Sequence, residues 1–206
     1  MGGWPILAKR AFDFLASLLL IVLLSPIFLL VAGLIKLTSP GGPVFFVQDR
    51  IGLRKRQIRV IKFRTMVPGA EQAITALENF NEASRPVFKI RNDPRVTHLG
   101  RFLRKTSIDE LPQLLNVLKG DMSLVGPRPL PLRDYAGFSQ DWHRRRFSVK
   151  PGITCLWQIY GRDALSLPFE KWMQLDMEYI DHWTLWLDFK ILALTIPVVI
   201  RGRGAC

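Results

Sequence analysis

Residues 14–35 read FLASLLLIVLLSPIFLLVAGLI, a stretch in which no side chain carries a charge. Asp13 and Lys36 bound this stretch, so the uncharged run is 22 residues long. A helix needs about 20 apolar residues to cross the hydrocarbon core of a bilayer. The segment therefore predicts a protein that is attached to a membrane through its N-terminal region.

Ser25 and Pro26 lie in the middle of this segment and argue against a simple spanning helix. Proline has no N–H to donate and its ring clashes with the carbonyl of Val22, so we expect the helix to kink or break there. Each arm then has about 11 residues and reaches about halfway across the hydrocarbon core. We predict a re-entrant segment that turns at Ser25-Pro26. A spanning helix stays an alternative, because proline is tolerated in membrane helices.

Basic residues flank the apolar segment on both sides. Lys9 and Arg10 precede it, and Lys36 and the run at residues 54–56 follow it. A spanning helix usually has its basic residues on one side, whereas symmetric flanks suit a hairpin with both ends in the cytoplasm. We therefore predict that residues 1–36 form a re-entrant membrane hairpin and that residues 37–206 form a cytoplasmic domain.

The composition limits the classes of partner. The 206 residues suffice for one domain with a modest core. Lys and Arg number 29 against 17 Asp and Glu, which gives a net charge of +12. This excess favours anionic partners: nucleic acid, phosphorylated ligands or acidic lipid headgroups. Apolar residues make up 49% of the chain, so disorder is not expected.

The cysteines and histidines are too few and too widely spaced for a disulfide framework or a zinc site. They are Cys155, Cys206, His98, His143 and His182. A metal ion would therefore have to be held by carboxylates, the ligands that Mg²⁺ prefers together with phosphate oxygens.

The rest of the chain predicts an α+β fold that is mostly helical. Residues 44–47 and 57–63 are typical of strands in a small β-hairpin. The alternation slips between Val60 and Ile61, which predicts a β-bulge, and beyond the slip Lys62 and Arg64 share a face. Helices are predicted for residues 69–81, 111–118 and 169–182.

The last segment, residues 183–201, is rich in Trp, Leu and Ile but also contains Asp188 and Lys190. Trp183 and Trp186 suit the headgroup region of a bilayer. We predict an interfacial amphipathic helix here. A buried core helix is the alternative.

Asp109 and Glu110 are adjacent carboxylates at what reads as a helix start. Ser107 and Glu110 also match a capping box, in which Glu110 would only return a hydrogen bond to the start of the helix. A helix start gathers N–H groups that favour an ionised Asp109, as a nucleophile requires, and carboxylates are known to accept phosphoryl groups. Glu110 is the candidate Mg²⁺ ligand.

Several cations surround these acids in the sequence, and arginines pair well with phosphates. Any one of them alone would more often be a solvated surface charge. The candidates for binding a diphosphate substrate are Lys62, Arg64, Arg101, Arg104, Arg128 and Arg162.

The chain resembles the bacterial monotopic polyprenyl-phosphate phosphoglycosyl transferases, a family of sugar transferases, over nearly its whole length. The motifs that carry this resemblance are Ser25-Pro26, Gly42-Pro43-Val44-Phe45-Phe46, Lys62-Phe63-Arg64-Thr65-Met66, Ser107-Ile108-Asp109-Glu110-Leu111-Pro112-Gln113, Asn116-Val117-Leu118-Lys119-Gly120-Asp121-Met122-Ser123, Gly126-Pro127-Arg128-Pro129, Pro151-Gly152-Ile153-Thr154 and Gly161-Arg162.

The resemblance implies a re-entrant helix that is broken at Ser25-Pro26, and a location on the cytoplasmic face of the bacterial inner membrane. It also implies a reaction. A nucleotide diphosphate sugar gives its phosphosugar to polyprenyl phosphate and releases the nucleoside monophosphate. Asp109 matches the nucleophile that forms a phosphosugar-aspartyl intermediate, and Glu110 matches the Mg²⁺-associated acid. Arg104 and Arg128 match positions near phosphate, and Arg162 matches a nucleotide-side position more loosely.

Leu156-Trp157-Gln158 is similar to the exopolysaccharide-type branch of the family, which tends to use UDP-glucose or UDP-galactose. Glucose and galactose are therefore favoured, but Tyr160 is less familiar at its position in that branch, so the identity of the sugar stays open. The oligomeric state, including a homodimer, is open as well.

Two other classes of function were weighed. A membrane-tethered nucleic-acid-binding protein would explain the charge and would bind duplexes in a salt-dependent way. No nucleic-acid motif accompanies the charge, so we expect no nucleic acid among the partners. A non-catalytic membrane scaffold would keep its function after Asp109→Ala, whereas an enzyme would lose it.

Overall fold

The computed structural model describes residues 3–160 and 167–201. The elements in chain order are α1 (Trp4–Thr38), β1 (Phe45–Ile51), β2 (Gln57–Phe63), α2 (His98–Thr106), α3 (Gln113–Lys119), β3 (Ser123–Val125), α4 (Leu132–Ala136), β4 (Gly152–Thr154), α5 (Leu156–Tyr160), α6 (Phe169–Asp181) and α7 (Leu185–Ile200). Short 3-10 helices cover Leu53–Lys55, Gln72–Phe80, Ile108–Glu110 and Asp141–Ser148. The prediction of a mostly helical α+β fold is confirmed.

Helix α1 is continuous over 35 residues and runs through Pro26. The helix therefore does not end at Ser25 and Pro26, where a kink or break was expected. The hydroxyl of Ser25 donates a hydrogen bond of 2.8 Å to the carbonyl of Val22. A proline at position 26 leaves this carbonyl without its usual N–H partner, so the serine supplies the missing donor.

Both ends of α1 pack against the same globular part of the chain, whereas its middle is exposed. Near the N-terminal end, buried Asp13 accepts a hydrogen bond from the N–H of Leu124. Near the C-terminal end, Val31 and Ile35 are buried against Phe63 in a small second core. The exposed side chains between these contacts include Leu18, Leu19, Leu20, Val22, Leu23, Ile27, Leu29 and Leu30.

The hairpin of β1 and β2 positions one wall of the candidate site. Its antiparallel register begins with Phe45 opposite Phe63 and continues one-to-one through both strands. The bulge predicted between Val60 and Ile61 is therefore wrong. Val60 faces the main core, whereas Phe63 is buried on the other face against α1. The slip in the alternation arises because the strand is covered on both faces.

The main core surrounds a short parallel pair of strands, β3 and β4, in which Ser123 lies opposite Gly152 and Val125 opposite Thr154. Helices α1, α3 and α7 contact this pair. In the same core, Trp157 of α5 and Trp172 of α6 stack with ring centroids 4.2 Å apart. The strand pair fixes where the chain leaves β3, and the Gly126-Pro127-Arg128-Pro129 loop begins there.

Two of the three predicted helices are α-helices in the structure, and the third region contains a 3-10 helix instead. Those predicted for residues 111–118 and 169–182 are confirmed as α3 and α6. Residues 69–81, predicted as a helix, instead contain the 3-10 helix Gln72–Phe80, whose turns are tighter than those of an α-helix.

Helix α7 is buried on one side and exposed on the other. Its Asp188 accepts hydrogen bonds from Lys9, Tyr179 and Trp183, which ties α7 to the start of α1 and to the end of α6. The side chains of Trp186, Ile196 and Ile200 are exposed. The helix is thus not the fully buried core helix that was the alternative, and its exposed apolar side suits an interfacial position.

Candidate active site

Asp109 and Glu110 lie in the 3-10 turn that joins α2 to α3. Ser107 ends α2 with a φ of 58°, a left-handed conformation that is uncommon for residues other than glycine. Its side chain caps no N–H, and the carboxylate of Glu110 is bonded elsewhere. The capping-box interpretation of Glu110 is therefore wrong. The residue that caps α2 is Thr97, whose hydroxyl accepts a hydrogen bond from the N–H of Gly100.

The carboxylate of Glu110 is held between two cations. The ammonium of Lys62 lies 2.7 Å from its Oε1. The guanidinium of Arg128 donates to both carboxylate oxygens, the longer bond, to Oε2, being 3.3 Å. Burial alone would raise the pKa of Glu110, but Arg128 and Lys62 outweigh burial and hold this pKa well below its usual value. Glu110 is thus a paired, permanently ionised acid.

Asp109 has the opposite environment. Its side chain is 8% exposed and has no hydrogen-bond or ion-pair partner within residues 3–160 and 167–201. Burial raises its pKa to about 6, Lys62 and the nearby arginines lower this pKa, and the negative charge of Glu110 raises it. The protonation of Asp109 is therefore set by burial and by nearby charges, and not by the N–H groups of a helix start as expected from the sequence. A carboxyl group with this pKa is still about nine-tenths ionised at pH 7.

Arg104 of α2 influences Asp109 electrostatically without forming an ion pair with it. Its Nε donates a 3.0 Å hydrogen bond to the hydroxyl of Thr65, just after β2. Burial lowers the pKa of Arg104, and the charge of Asp109 is the largest influence that opposes it. The close approach of α2 to this segment needs Gly100, because a Cβ at that position would lie 2.0 Å from the carbonyl oxygen of Thr65.

Arg128 reaches Glu110 from the loop after β3. Two backbone hydrogen bonds fix this loop: Gly126 donates to Thr154 and Gly152 donates to Pro127, both at 3.0 Å. A Cβ on Gly152 would lie 2.1 Å from the nitrogen of Gly126, so the two chains can approach this closely only without one. Although burial lowers the pKa of Arg128, Glu110 outweighs burial and raises it.

The structure does not gather all the predicted cations at the acids. Arg64 is buried, but it donates to the carbonyl of Ser39 at the end of α1 and not to the acids. Its Nε and Nη1 have no partner within the described residues. Arg101 is exposed on α2. Arg162 lies outside the described residues.

Two further arginines contact the site and were missed by the sequence analysis. Arg50 of β1 donates a 2.7 Å hydrogen bond to the carbonyl of Pro129. Arg146 donates one of equal length to the carbonyl of Arg128. No short motif or periodicity marks either residue.

A cavity of about 650 Å³ is present elsewhere, and neither carboxylate of the pair lines it. Its wall includes Arg85, Arg133, Ser139, His143 and Phe169. Arg133 pairs with the buried Asp134. Burial raises the pKa of Asp134, and the charges of Arg133 and Arg50 oppose this rise. The cavity is therefore not part of the carboxylate site.

Comparisons with known proteins identify the family. The family model described as bacterial sugar transferase matches residues 4–202. Since it covers nearly the whole chain, the protein belongs to the bacterial sugar transferase family, as the sequence motifs predicted.

Several curated relatives are similar to this chain. The galactosyl transferase CpsE of Streptococcus agalactiae is 45% identical over 97% of this chain and 44% of its own length. The undecaprenyl-phosphate glucose phosphotransferase of Komagataeibacter xylinus is 44% identical over 100% of this chain and 38% of its own length. The exopolysaccharide production protein ExoY of Sinorhizobium fredii is 41% identical over 100% of this chain and 89% of its own length. The chain therefore spans less than half of the first two relatives and most of the third.

The pKa of Asp109 predicts the pH dependence of any reaction in which this carboxylate attacks. Only the ionised form is a nucleophile, so the rate should be half-maximal near pH 6 and fall about tenfold for each further unit of acidity. Lys62→Met should move this midpoint to higher pH, because Lys62 is the strongest of the charges that lower the pKa of Asp109. The measurement is the rate of covalent adduct formation at Asp109 as a function of pH.

Lys119→Met is the matched control for this pH profile, since Lys119 is exposed and pairs with Asp121 away from the acids. It should leave the midpoint unchanged. An unchanged midpoint in Lys62→Met would show that the profile reports a group other than Asp109.

Proposed function

We propose that this chain transfers hexose 1-phosphate from a UDP-hexose to polyprenyl phosphate, such as undecaprenyl phosphate, and releases UMP. The family and the functions for which its relatives are named support a transfer of sugar phosphate to a lipid carrier in polysaccharide synthesis. Glucose and galactose are the favoured sugars, because the named relatives act on them.

The separate roles that we propose for Asp109 and Glu110 rest on one observation. The two carboxylates are adjacent, but their electrostatic environments are opposite. Asp109 is buried without a partner and its pKa is raised, whereas Glu110 is bonded by Lys62 and Arg128 and its pKa is lowered. Pairs of acids whose environments push their pKa values apart are typical of sites in which each acid has a separate task. The unpaired carboxylate of Asp109 is free to attack, and Glu110 is not.

The proposed reaction has two displacements. A carboxylate oxygen of Asp109 attacks the phosphorus that bears the sugar, and the bond from this phosphorus to the bridging oxygen breaks. The bridging oxygen leaves with UMP. A phosphate oxygen of polyprenyl phosphate then attacks the same phosphorus and releases the carboxylate of Asp109. Lys62, Arg104 and Arg128 would offset the negative charge of the diphosphate during both steps.

Mg²⁺ fits this site only together with the substrate. Within the described residues no group of three or more potential metal ligands is present, and Glu110 is already bonded to two cations. Mg²⁺ commonly binds through one or two carboxylates plus substrate phosphates. We propose that Glu110 holds Mg²⁺ when a diphosphate occupies the arginines, and that the ion then supplies charge stabilisation at the phosphate.

The packing of α1 supports a re-entrant topology. Within the described residues α1 is the one helix that is long and apolar enough to cross a membrane. A straight spanning helix would carry its two ends to opposite faces of the bilayer, about 30 Å apart. Here both ends bind one globular part, through Asp13 near one end and Ile35 near the other. We propose that the exposed middle enters the cytoplasmic leaflet of the inner membrane.

This topology predicts that both chain termini are cytoplasmic. A cysteine placed at Gly2 and the natural Cys206 should both resist an impermeant thiol reagent in intact cells and react after lysis. The buried Cys155 serves as an internal control, since it should react in neither case. Labelling of either terminus from outside would contradict the re-entrant topology.

The function is tested with purified protein, Mg²⁺ and polyprenyl phosphate, by screening UDP-sugars for release of UMP. UDP-glucose or UDP-galactose should give UMP and a lipid diphosphosugar in equal amounts. The scaffold alternative predicts no turnover with any donor. Release of UMP that does not depend on the lipid and continues past one equivalent would indicate hydrolysis and not transfer.

A further inference from the structure

The most deeply buried ion pair of the described residues lies outside the carboxylate cluster. Arg146, from the 3-10 helix Asp141–Ser148, approaches Asp176 of α6 to 2.9 Å. Both side chains are 2% exposed. Neither residue touches the candidate nucleophile, so the reaction as derived so far does not use them.

Arg146 nevertheless reaches the active site through the backbone. Its Nη2 donates a 2.7 Å hydrogen bond to the carbonyl of Arg128. The side chain of Arg128 in turn donates to both oxygens of Glu110. Asp176 is therefore connected to the candidate metal ligand by two arginines, through contacts that all lie inside the protein.

The pair is poorly explained as a source of stability. Taking two charges out of water costs more than their attraction returns unless further hydrogen bonds satisfy both groups. Here Nη1 of Arg146 and Oδ2 of Asp176 lack a well-aligned hydrogen bond within the described residues. Burial also raises the pKa of Asp176 to about 6, so its charged form is less favoured here than in water, although Asp176 is still mostly ionised at pH 7.

We propose that Arg146 and Asp176 together position Arg128. Asp176 fixes the guanidinium of Arg146, which fixes the carbonyl of Arg128 and so the point from which the side chain of Arg128 extends. This inference rests on the proposed function, since it assigns Arg128 to the diphosphate and to Glu110. Both Arg146 and Asp176 are positioning residues, because they act only through Arg128.

A second contact keeps the loop folded when this pair is changed. Arg50 holds the next carbonyl, that of Pro129, at 2.7 Å, and the Nε of Arg50 is itself bonded to Gln48 at 2.8 Å. Two successive carbonyls are thus held from different elements. Weakening one contact should therefore loosen Arg128 without unfolding the loop.

The test is a double-mutant cycle on the rate at which labelled UDP-hexose forms the protein adduct. Asp176→Asn should lower this rate about tenfold in the wild-type background. The second background is Arg128→Lys, which keeps a positive charge and should keep a measurable rate. In this background Asp176→Asn should lower the rate of adduct formation less than about twofold, because the arginine that the pair positions has already been replaced. Thermal unfolding of every variant is measured alongside.

The chain offers a matched control on the same two elements. Arg145 pairs with Asp181, but these side chains are 53% and 41% exposed and contact nothing in the site. Asp181→Asn should change the rate less than about twofold. A loss equal to that of Asp176→Asn would overturn the inference.

The remaining outcomes are also decisive. Equal losses from Asp176→Asn in both Arg128 backgrounds would show that the pair does not act through Arg128. If Asp176→Asn does not fold, Arg146→Lys is measured in its place, and failure of both to fold would assign the pair a purely structural role. A wild-type protein that forms no adduct would overturn the proposed function instead.

Discussion

Asp109→Asn should abolish covalent labelling of the protein by UDP-hexose. The substitution keeps the shape of the side chain but removes the charge and the nucleophilic oxygen, so adduct formation should fall at least about 10³-fold. The experiment incubates the protein with Mg²⁺ and UDP-hexose labelled in the sugar, with no polyprenyl phosphate. Wild type should retain the label and release one equivalent of UMP.

Asp121→Asn is a suitable control for this substitution. Asp121 follows α3 and pairs with Lys119, so its replacement should leave the label intact. With both substrates present, the wild-type kinetics should be ping-pong. Undiminished label in Asp109→Asn would mean that another residue is the nucleophile. Strict ternary-complex kinetics without an adduct would rule out the two-step reaction itself.

Glu110→Gln should cause the second largest loss. The amide nearly keeps the shape, but it leaves Lys62 and Arg128 without their anionic partner and removes the proposed ligand of Mg²⁺. We expect adduct formation to fall at least about 10²-fold, and extra Mg²⁺ to restore it only in part. A measurement that does not depend on turnover is the binding of Mn²⁺ with UDP present, which should weaken in this variant.

Glu170→Gln is the control for the loss of a carboxylate elsewhere, since Glu170 is half exposed and contacts His143. It should keep both activity and Mn²⁺ binding. Normal turnover in Glu110→Gln would show that Glu110 serves only as a counter-ion for its two cations. Normal Mn²⁺ binding with lost turnover would separate the metal role from the effect on Arg128.

Local features of the fold could be predicted from the sequence, whereas features that depend on packing could not. Strand β2 and helix α6 follow from alternation, periodicity and flanking residues. The false bulge near Val60 shows the limit of this reasoning. Alternation reveals which residues are apolar, but only the position of α1 explains why Phe63 is buried on the second face.

The candidate site likewise combines features that the sequence reveals with features that depend on packing. The adjacency of Asp109 and Glu110 is visible in the chain, and family motifs point to Arg128. The contact of Lys62 with Glu110 bridges 48 residues and depends on how β2 meets the turn after α2. Arg64, two residues beyond Lys62, points instead to the end of α1. A shared sequence motif therefore does not mean a shared site.

The run Arg144-Arg145-Arg146 is the clearest case in which sequence alone could not assign roles. The three letters are identical, yet Arg144 pairs locally with Asp141, Arg145 forms an exposed pair, and Arg146 is buried against Asp176. The difference comes from the tight 3-10 turns of this segment, which point successive side chains in different directions. A run of arginines otherwise predicts only a solvated basic surface.

The attachment of α1 at two points has a consequence for how the protein would meet the lipid acceptor that we propose. A domain on a single flexible tether can tilt and rise above the membrane, and its reach is set by the length of the linker. Here the bonds of Lys9 and the packing of Ile35 hold both ends of the helix against the domain. Helix and domain should therefore diffuse as one rigid body, with the carboxylates at a constant height above the acyl chains. In the proposed reaction the search for the lipid carrier is then two-dimensional, and only the soluble donor arrives from the bulk.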